Sequence, residues 1–300
     1  MRCLERNSNC KVNLLLNILG KRSDGFHELE TIMHPVALFD TLQFECASGQ
    51  RVELSCSNPA LSADSSNLVW RAATTFLDAA AIQDGVRIHL EKRIPLAAGL
   101  GGGSANAAVT LLALNEFFGS PLGPKQLESL AAGLGSDVPF FLQPFPALAT
   151  GRGEQIAALG PLPALQGAFI LLIHPGFGVS TRWAYEALAT FPDALQGSKG
   201  RAQVLLSALR HCRLEEAGKL FYNALEAPVL RKFPVLQLYQ EFLRENGAAA
   251  TLMSGSGSTT FALVERQSAA QTLQEAFQAR FGTQAWTAIA RVDGRRSCDG

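Results

Sequence analysis

Four of the five positions from Gly99 to Gly103 are glycine, Ser104 follows, and an Ala- and Leu-rich run continues from Ala105. Glycine adopts backbone conformations closed to other residues and lets N–H groups approach a ligand. A helix start adds unsatisfied N–H donors and the positive end of a dipole, a combination suited to an anion such as phosphate. Just upstream, Val86, Ile88 and Leu90 alternate with Arg87, His89 and Glu91, the period of a half-buried strand. The segment predicts strand, glycine loop, helix, and the loop is either an anion cradle or a flexible turn. Neither common nucleotide loop matches. G-x-x-x-x-G-K-[ST] fails because no lysine lies between Gly99 and Ser104, and G-x-G-x-x-G fails at Ser104 and Asn106.

Other chemistry-bearing residues stand apart from this loop. In Ser136-Asp137-Val138-Pro139 the proline suits a first helical turn, so Asp137 lies at or just before a helix start. It reads as a helix cap or as a carboxylate base. Lys11 to Ile18 has strand periodicity, with Val12, Leu14, Leu16 and Ile18 on one face and Lys11, Asn13 and Asn17 on the other. Polar groups there need water or partners, so that face is either the wet side of an edge strand or the wall of a polar cleft. Gly20 to Leu29 holds the turn signal Asp24-Gly25, the cations Lys21, Arg22 and His27, and the aromatic Phe26. It fits a phosphorylated or heteroaromatic ligand, or a solvated hairpin tip. Ser254-Gly255-Ser256-Gly257-Ser258 is a second turn rich in N–H and O–H donors.

The elements that must position these residues follow from periodicity and punctuation. Strands are expected near 31–36, 41–46 and 52–56, and strands in succession favour antiparallel pairing and an α+β class. Asp64-Ser65-Ser66 offers a cap for a helix carrying Leu68, Val69, Ala72, Ala73, Phe76 and Leu77. The helix after the glycine loop runs from Ser104 or Asn106 to Phe118, stopped by Gly119, and another covers 125–132. After Pro161-Leu162-Pro163 comes a buried strand, 169–173, a helix capped by Ser180, and a mostly helical stretch to Asn246. Strands at 248–253 and 259–264 flank the second turn, and a helix (268–279) and a strand (286–292) close the chain in a split β-α-β pattern. The tail from Asp293, with Arg295-Arg296, is expected to fray.

Composition narrows the class. The 300 residues allow one large or two ordinary domains. Acidic and basic residues balance at 26 each, so no net field points to nucleic acid or an anionic membrane. No apolar run of about 18 residues predicts a membrane-spanning helix, and the N-terminal residues lack the core of a signal peptide. The six cysteines are scattered without C-x-x-C spacing and read as reduced thiols in a cytoplasmic protein, with no metal site.

Pro95-Leu96-Ala97-Ala98-Gly99-Leu100-Gly101-Gly102-Gly103-Ser104-Ala105 resembles the ATP-binding motif of the GHMP kinases, and Ser254 to Ser258 resembles that superfamily's C-terminal motif. Within it, Cys10-Lys11-Val12-Asn13-Leu14, Gly20 to Leu29 and Gly135-Ser136-Asp137-Val138-Pro139-Phe140-Phe141 look like the signatures of the 4-diphosphocytidyl-2-C-methyl-D-erythritol kinase family. Gly151-Arg152-Gly153-Glu154, Val179-Ser180-Thr181 and Asn223-Ala224-Leu225-Glu226 also match landmarks, in order, between residues 10 and about 264.

The resemblance implies a two-domain GHMP kinase fold of α+β class. Residues 1–158 would form a ribosomal-protein-S5-domain-2-like α/β domain, and residues 159–300 a ferredoxin-like α+β domain. It implies phosphoryl transfer from ATP to the 2-hydroxyl of 4-diphosphocytidyl-2-C-methyl-D-erythritol, with Mg2+ accompanying the nucleotide. Lys11 and Asp137 would be catalytic, residues 95–105 would hold ATP, and Asn13, Phe26 and His27 would hold the cytidine diphosphate part. No nucleic acid or membrane partner is implied, and the protein would be a monomer or weak homodimer. Three positions depart from the pattern: Cys10 replaces a small alanine, Phe26 keeps stacking but lacks a tyrosine hydroxyl, and Ala224 stands where aspartate is frequent. The competing readings are a GHMP kinase of homoserine or mevalonate type, which should not need the Asp24-Gly25-Phe26-His27 loop, and a non-catalytic nucleotide-binding protein, which should lose Lys11 or Asp137.

Overall fold

A computed structural model describes residues 3–48 and 51–292. The described residues divide into two compact units that alternate along the sequence: 3–10, 38–48, 51–95 and 101–144 form the first, and 11–37, 96–100 and 145–292 the second. Two long strands, β1 (Cys3–Lys21) and β2 (His27–Ala47), contribute residues to both.

Both strands are longer than the alternation in the sequence suggests, and the segments expected at 31–36 and 41–46 are one strand. Pro35 and its neighbours hid this continuity, since a proline cannot donate to a ladder. β2 pairs at Leu29 to Met33 with one strand and at Thr41 to Ala47 with another, and Pro35 falls between the two registers.

In the first unit β3 (Val52–Cys56), α1 (Leu68–Ala79), β4 (Gly85–Glu91), α2 (Gly102–Phe117) and α3 (Pro124–Leu134) follow in order. β4 pairs antiparallel with β2 (Leu42 with Leu90, Phe44 with Ile88) and parallel with β3 (Leu54 with Ile88). Alternate residues of these strands face the helices, giving a core of Phe44, Ile88, Leu90, Phe76, Leu111 and Leu114. The cap of α1 is Asn67, whose Oδ1 accepts from the Val69 N–H at 2.9 Å, whereas Asp64 instead closes its own turn onto Ser66. α2 is buried around most of its circumference, which its alanines permit.

In the second unit β5 (Ala147–Gly151) pairs antiparallel with β2 and with β6 (Gln155–Ala158). After β7 (Phe169–His174) the chain is helical: α4 (Thr181–Ala187), α5 (Pro192–Leu195), α6 (Arg201–His211) and α7 (Leu214–Gly218). A two-residue strand, β8 (Tyr222–Asn223), then adds parallel to β1 through Leu15 and Leu16, an element too short to register as a pattern. α8 (Glu226–Lys232) and α9 (Val235–Glu245) lead to β9 (Ala250–Met253), β10 (Thr260–Val264), α10 (Gln267–Phe281) and β11 (Trp286–Arg291). Here β11, β7, β10 and β9 lie side by side, each neighbour antiparallel, the ferredoxin-like order. The tail from Asp293 lies outside the described residues.

Candidate active site

The strand before the glycine loop ends on a buried ion pair. Lys92 Nζ donates to Asp40 Oδ2 at 2.7 Å and to the Ile94 carbonyl at 2.6 Å. Asp40 Oδ1 accepts from the N–H groups of Arg93 and Ile94 at 2.7 and 2.8 Å. Three consecutive residues entering the loop are thus tied to one carboxylate. A Cβ on Gly102 would meet Ile94 Cγ2 at 3.0 Å and Lys92 Nζ at 3.2 Å, so any other residue there would have to push these side chains back by a few tenths of an ångström. Gly101 precedes α2 in the left-handed region (φ +69°), and no side chain caps the helix. Its opening turn is therefore an anion-favouring end of the kind expected.

Within the second unit the middle of the loop packs on the second glycine–serine turn. Ser254 Oγ donates to the Gly99 carbonyl at 3.0 Å, and the Thr259 N–H donates to the Ala98 carbonyl at 3.2 Å. Gly99 has φ +77°, and a Cβ there would overlap the Ser254 carbonyl. The Lys11 N–H donates to the Leu100 carbonyl at 2.9 Å. A Cβ on Gly255 would sit 3.4 Å from both Lys11 Nζ and Asn13 Oδ1. Lys11, Asn13, the loop at Gly99 and the turn at Gly255 therefore converge.

The polar face of β1 is not a wet edge. Lys11, Asn13 and Asn17 are buried, and β1 lies between β2 and β8. Lys11 Nζ donates to Asn13 Oδ1 at 2.5 Å, and Asn13 Nδ2 donates to Thr31 Oγ1 at 2.8 Å. Asn17 Nδ2 donates to Glu30 Oε1 at 2.9 Å and to the Ser198 carbonyl at 2.9 Å. Asn17 thus belongs to the scaffold, whereas Lys11 and Asn13 stand beside the glycine turns.

Phe26 and His27 lie where β1 turns into β2. Phe26 is 52% exposed, and the Arg152 guanidinium lies over its ring at 4.7 Å from the centroid. The His27 ring is 5.2 Å from that of Tyr185. Partial burial, and then the charge of Lys21, hold the His27 imidazole below the usual histidine range. Asp137 is half-buried in the first unit, in the turn before a 3-10 segment, Pro139–Leu142. The capping position of that segment is Val138, with no side-chain cap bond.

Several supporting residues carry no signal in a single sequence. Asn223 Nδ2 donates to the carbonyls of Met253 and Gly255 at 2.8 and 2.7 Å, holding both sides of Ser254. Its place in a family landmark is the one clue. Ser258 Oγ donates to the Phe177 carbonyl and lies 3.2 Å from His174 Nδ1. A carbonyl only accepts, so the hydroxyl hydrogen is spent and His174 must carry its proton on Nδ1. Asp40, Lys92 and Thr31 are likewise visible only once strands are paired.

Residues 67–143 match the family model for the GHMP kinases N terminal domain, and residues 205–283 the model for GHMP kinases C terminal. A 4-diphosphocytidyl-2-C-methyl-D-erythritol kinase from Pelotomaculum thermopropionicum is 42% identical over 257 residues, covering 85% of this chain and 87% of the relative. A crystal structure of 4-(cytidine 5'-diphospho)-2C-methyl-D-erythritol kinase superposes with a TM-score of 0.80 at 37% identity, over 96% of this chain and 99% of that one. A homoserine kinase from Cytophaga hutchinsonii shares the fold at a TM-score of 0.72 but only 22% identity, over 95% of each chain. Both family models and a relative this similar along nearly its whole length place the chain in the GHMP kinases and, within them, in the 4-diphosphocytidyl-2-C-methyl-D-erythritol kinase family.

Proposed function

We propose that this chain transfers the terminal phosphoryl group of ATP to the 2-hydroxyl of 4-diphosphocytidyl-2-C-methyl-D-erythritol, giving the 2-phosphate and ADP in the non-mevalonate isoprenoid pathway. The observation that carries this reading is the convergence of Lys11 and Asn13 with the turns at Gly99 and Gly255. Phosphoryl transfer asks a protein chiefly to position reactants and offset charge. Residues 95–105 would cradle the nucleotide with backbone N–H groups. Lys11 would orient the alcohol and offset charge, and Asp137 would take the hydroxyl proton. Phe26 would stack on cytosine through the face opposite Arg152. His27 would hold the cytidine diphosphate part. Asn13 would do so with the N–H and lone pair left after its bonds to Lys11 and Thr31.

Mg2+ would accompany ATP and neutralise phosphate charge. It takes oxygen ligands, chiefly phosphates and water with one or two protein groups. The half-buried Ser104 hydroxyl, at the uncapped start of α2, is a donor that fits this chemistry. Among the described residues no group of three or more His, Cys, Asp or Glu is arranged to hold a metal by itself. A cytoplasmic monomer or weak homodimer, acting on a small molecule and not on nucleic acid or membrane, completes the proposal. A domain division at residues 158/159 is part of it too, supported by the two family models falling on either side.

The direct test mixes purified protein, Mg-ATP and the cytidine diphospho-methylerythritol, and follows ADP release with formation of a phosphomonoester. Turnover with homoserine or mevalonate instead moves the protein to that kinase type. Nucleotide binding without turnover on any of the three makes it a non-catalytic binder.

A further inference from the structure

We propose that Thr31, on β2, is a positioning residue for Lys11, acting through the amide of Asn13. Thr31 is buried, and its Oγ1 donates to the Leu15 carbonyl at 2.5 Å. A carbonyl oxygen only accepts, so the one hydroxyl hydrogen is committed there. Towards Asn13, 2.8 Å away, the same oxygen can then only accept. That fixes which end of the Asn13 amide faces Thr31: the NH2 group. The carbonyl end is left facing Lys11, where Oδ1 accepts from Nζ at 2.5 Å. An amide looks nearly alike in both orientations, and only its surroundings decide between them. Here the deciding group is one hydroxyl on the neighbouring strand. Reversed, the amide would present N–H groups to an ammonium that itself only donates, and Lys11 would be pushed from its place beside Gly255.

The relay runs Lys11, Asn13, Thr31, Leu15, each donating to the next. No residue in it is redundant, because only a group with both a donor and an acceptor fits the Thr31 position. Serine supplies both. Valine matches the shape of threonine and supplies neither.

The proposal rests on the role given to Lys11 above, and the test separates the two. Thr31→Val and Thr31→Ser are compared with the unaltered protein for kcat, KM for ATP and melting temperature. Thr31→Val is expected to lower kcat about 10- to 100-fold with KM for ATP within about twofold, a loss up to the roughly 10²-fold that a misplacement of about 1 Å can cost. Thr31→Ser is expected to restore most of kcat. A second readout needs no substrate: with 15N-labelled asparagine, the Asn13 side-chain N–H signals are expected to be protected from exchange in the unaltered and Thr31→Ser proteins and unprotected in Thr31→Val. Unchanged kcat in Thr31→Val, or a loss in Thr31→Ser as large as in Thr31→Val, overturns the proposal, as does equal Asn13 protection in all three. An unaltered protein that turns over no substrate, with the protection pattern as expected, sinks the functional reading while the positioning of Lys11 stands.

Discussion

Lys92 and Asp40 meet at 2.7 Å with side chains 3% and 0% exposed, and each also bonds the backbone that enters the glycine loop. A buried pair gains little net stability over a well-packed apolar one, but removing one partner strands the other. Asp40→Ala is therefore expected to cost about 3–5 kcal/mol. The double variant Asp40→Leu/Lys92→Met should cost less than Asp40→Ala alone. Urea titrations of the three proteins check this, and a double variant destabilised as much as Asp40→Ala or more would show that the stranded lysine is not what makes the single substitution costly.

Lys11 and Asp137 carry the proposed chemistry, so Asp137→Asn and Lys11→Ala should each lower kcat by about 10²–10⁴-fold. Asp137→Asn is near-isosteric and half-buried, and its melting temperature should stay within about a degree or two. Normal turnover in either variant removes the corresponding role.

Glycines of the loop should separate by what a methyl group meets. Gly99→Ala forces a left-handed backbone, worth about 1–2 kcal/mol, and adds an overlap with the Ser254 carbonyl. It should destabilise the protein and reduce activity together. Gly103 lies in α2, with the nearest atom to a new Cβ 3.5 Å away on Leu68. Gly103→Ala should leave stability equal or raised by up to about 1 kcal/mol. If the backbone there approaches phosphate, KM for ATP should still rise. Melting curves beside ATP kinetics decide the matter, and an unchanged KM in Gly103→Ala would place the nucleotide elsewhere.

Burial holds the His174 imidazole below the usual histidine range, as it does His27. At pH values between the folded and unfolded pKa the unfolded chain binds more protons, so stability rises with pH there. Stability should thus be flat above about pH 6.5–7 and fall as pH drops below 6.5, the unperturbed value. His174→Asn places an amide N–H where Nδ1–H stood towards Ser258 and cannot titrate in this range. Its stability should decline less between pH 7 and pH 5. An unchanged slope in denaturant titrations would mean that His174 does not contribute.

What could be read from the sequence follows from which forces act locally. The glycine loop, the strand before it and the helix after it announce themselves because backbone freedom and apolar period are properties of neighbouring residues. Lys11, Asn13 and Asn17 were visible as costly polar residues on one face, yet their period alone left a wet edge and a cleft wall equally open. Pairing decided it, by placing β1 inside the sheet and giving Asn17 to Glu30 and Asn13 to Lys11 and Thr31. Asp40 and Lys92 lie 52 positions apart and Asn223 lies 30 or more from the carbonyls it holds. Contacts over such separations leave no periodic trace. Asn67 displaced the expected cap of α1 because several capping residues stand in succession there, and the tertiary fold chose among them.

The alternation of the two compact units along the chain has a consequence for synthesis. The chain passes from one unit to the other at 10/11, 37/38, 95/96, 100/101 and 144/145. Once residue 144 has been added every segment of the first unit has been synthesised, while 11–37 and 96–100 still lack the rest of theirs. At translation speeds of about 5–20 residues per second, the stretch from 144 to the turn at Gly255 takes roughly six to twenty-two seconds. For that time Lys11, Asn13 and Thr31 have each other, but neither Asn223 nor the turn at Gly255 against which the glycine loop is held. The glycine loop is made in the first half of synthesis, well before the turn at Ser254 that holds its Gly99 carbonyl.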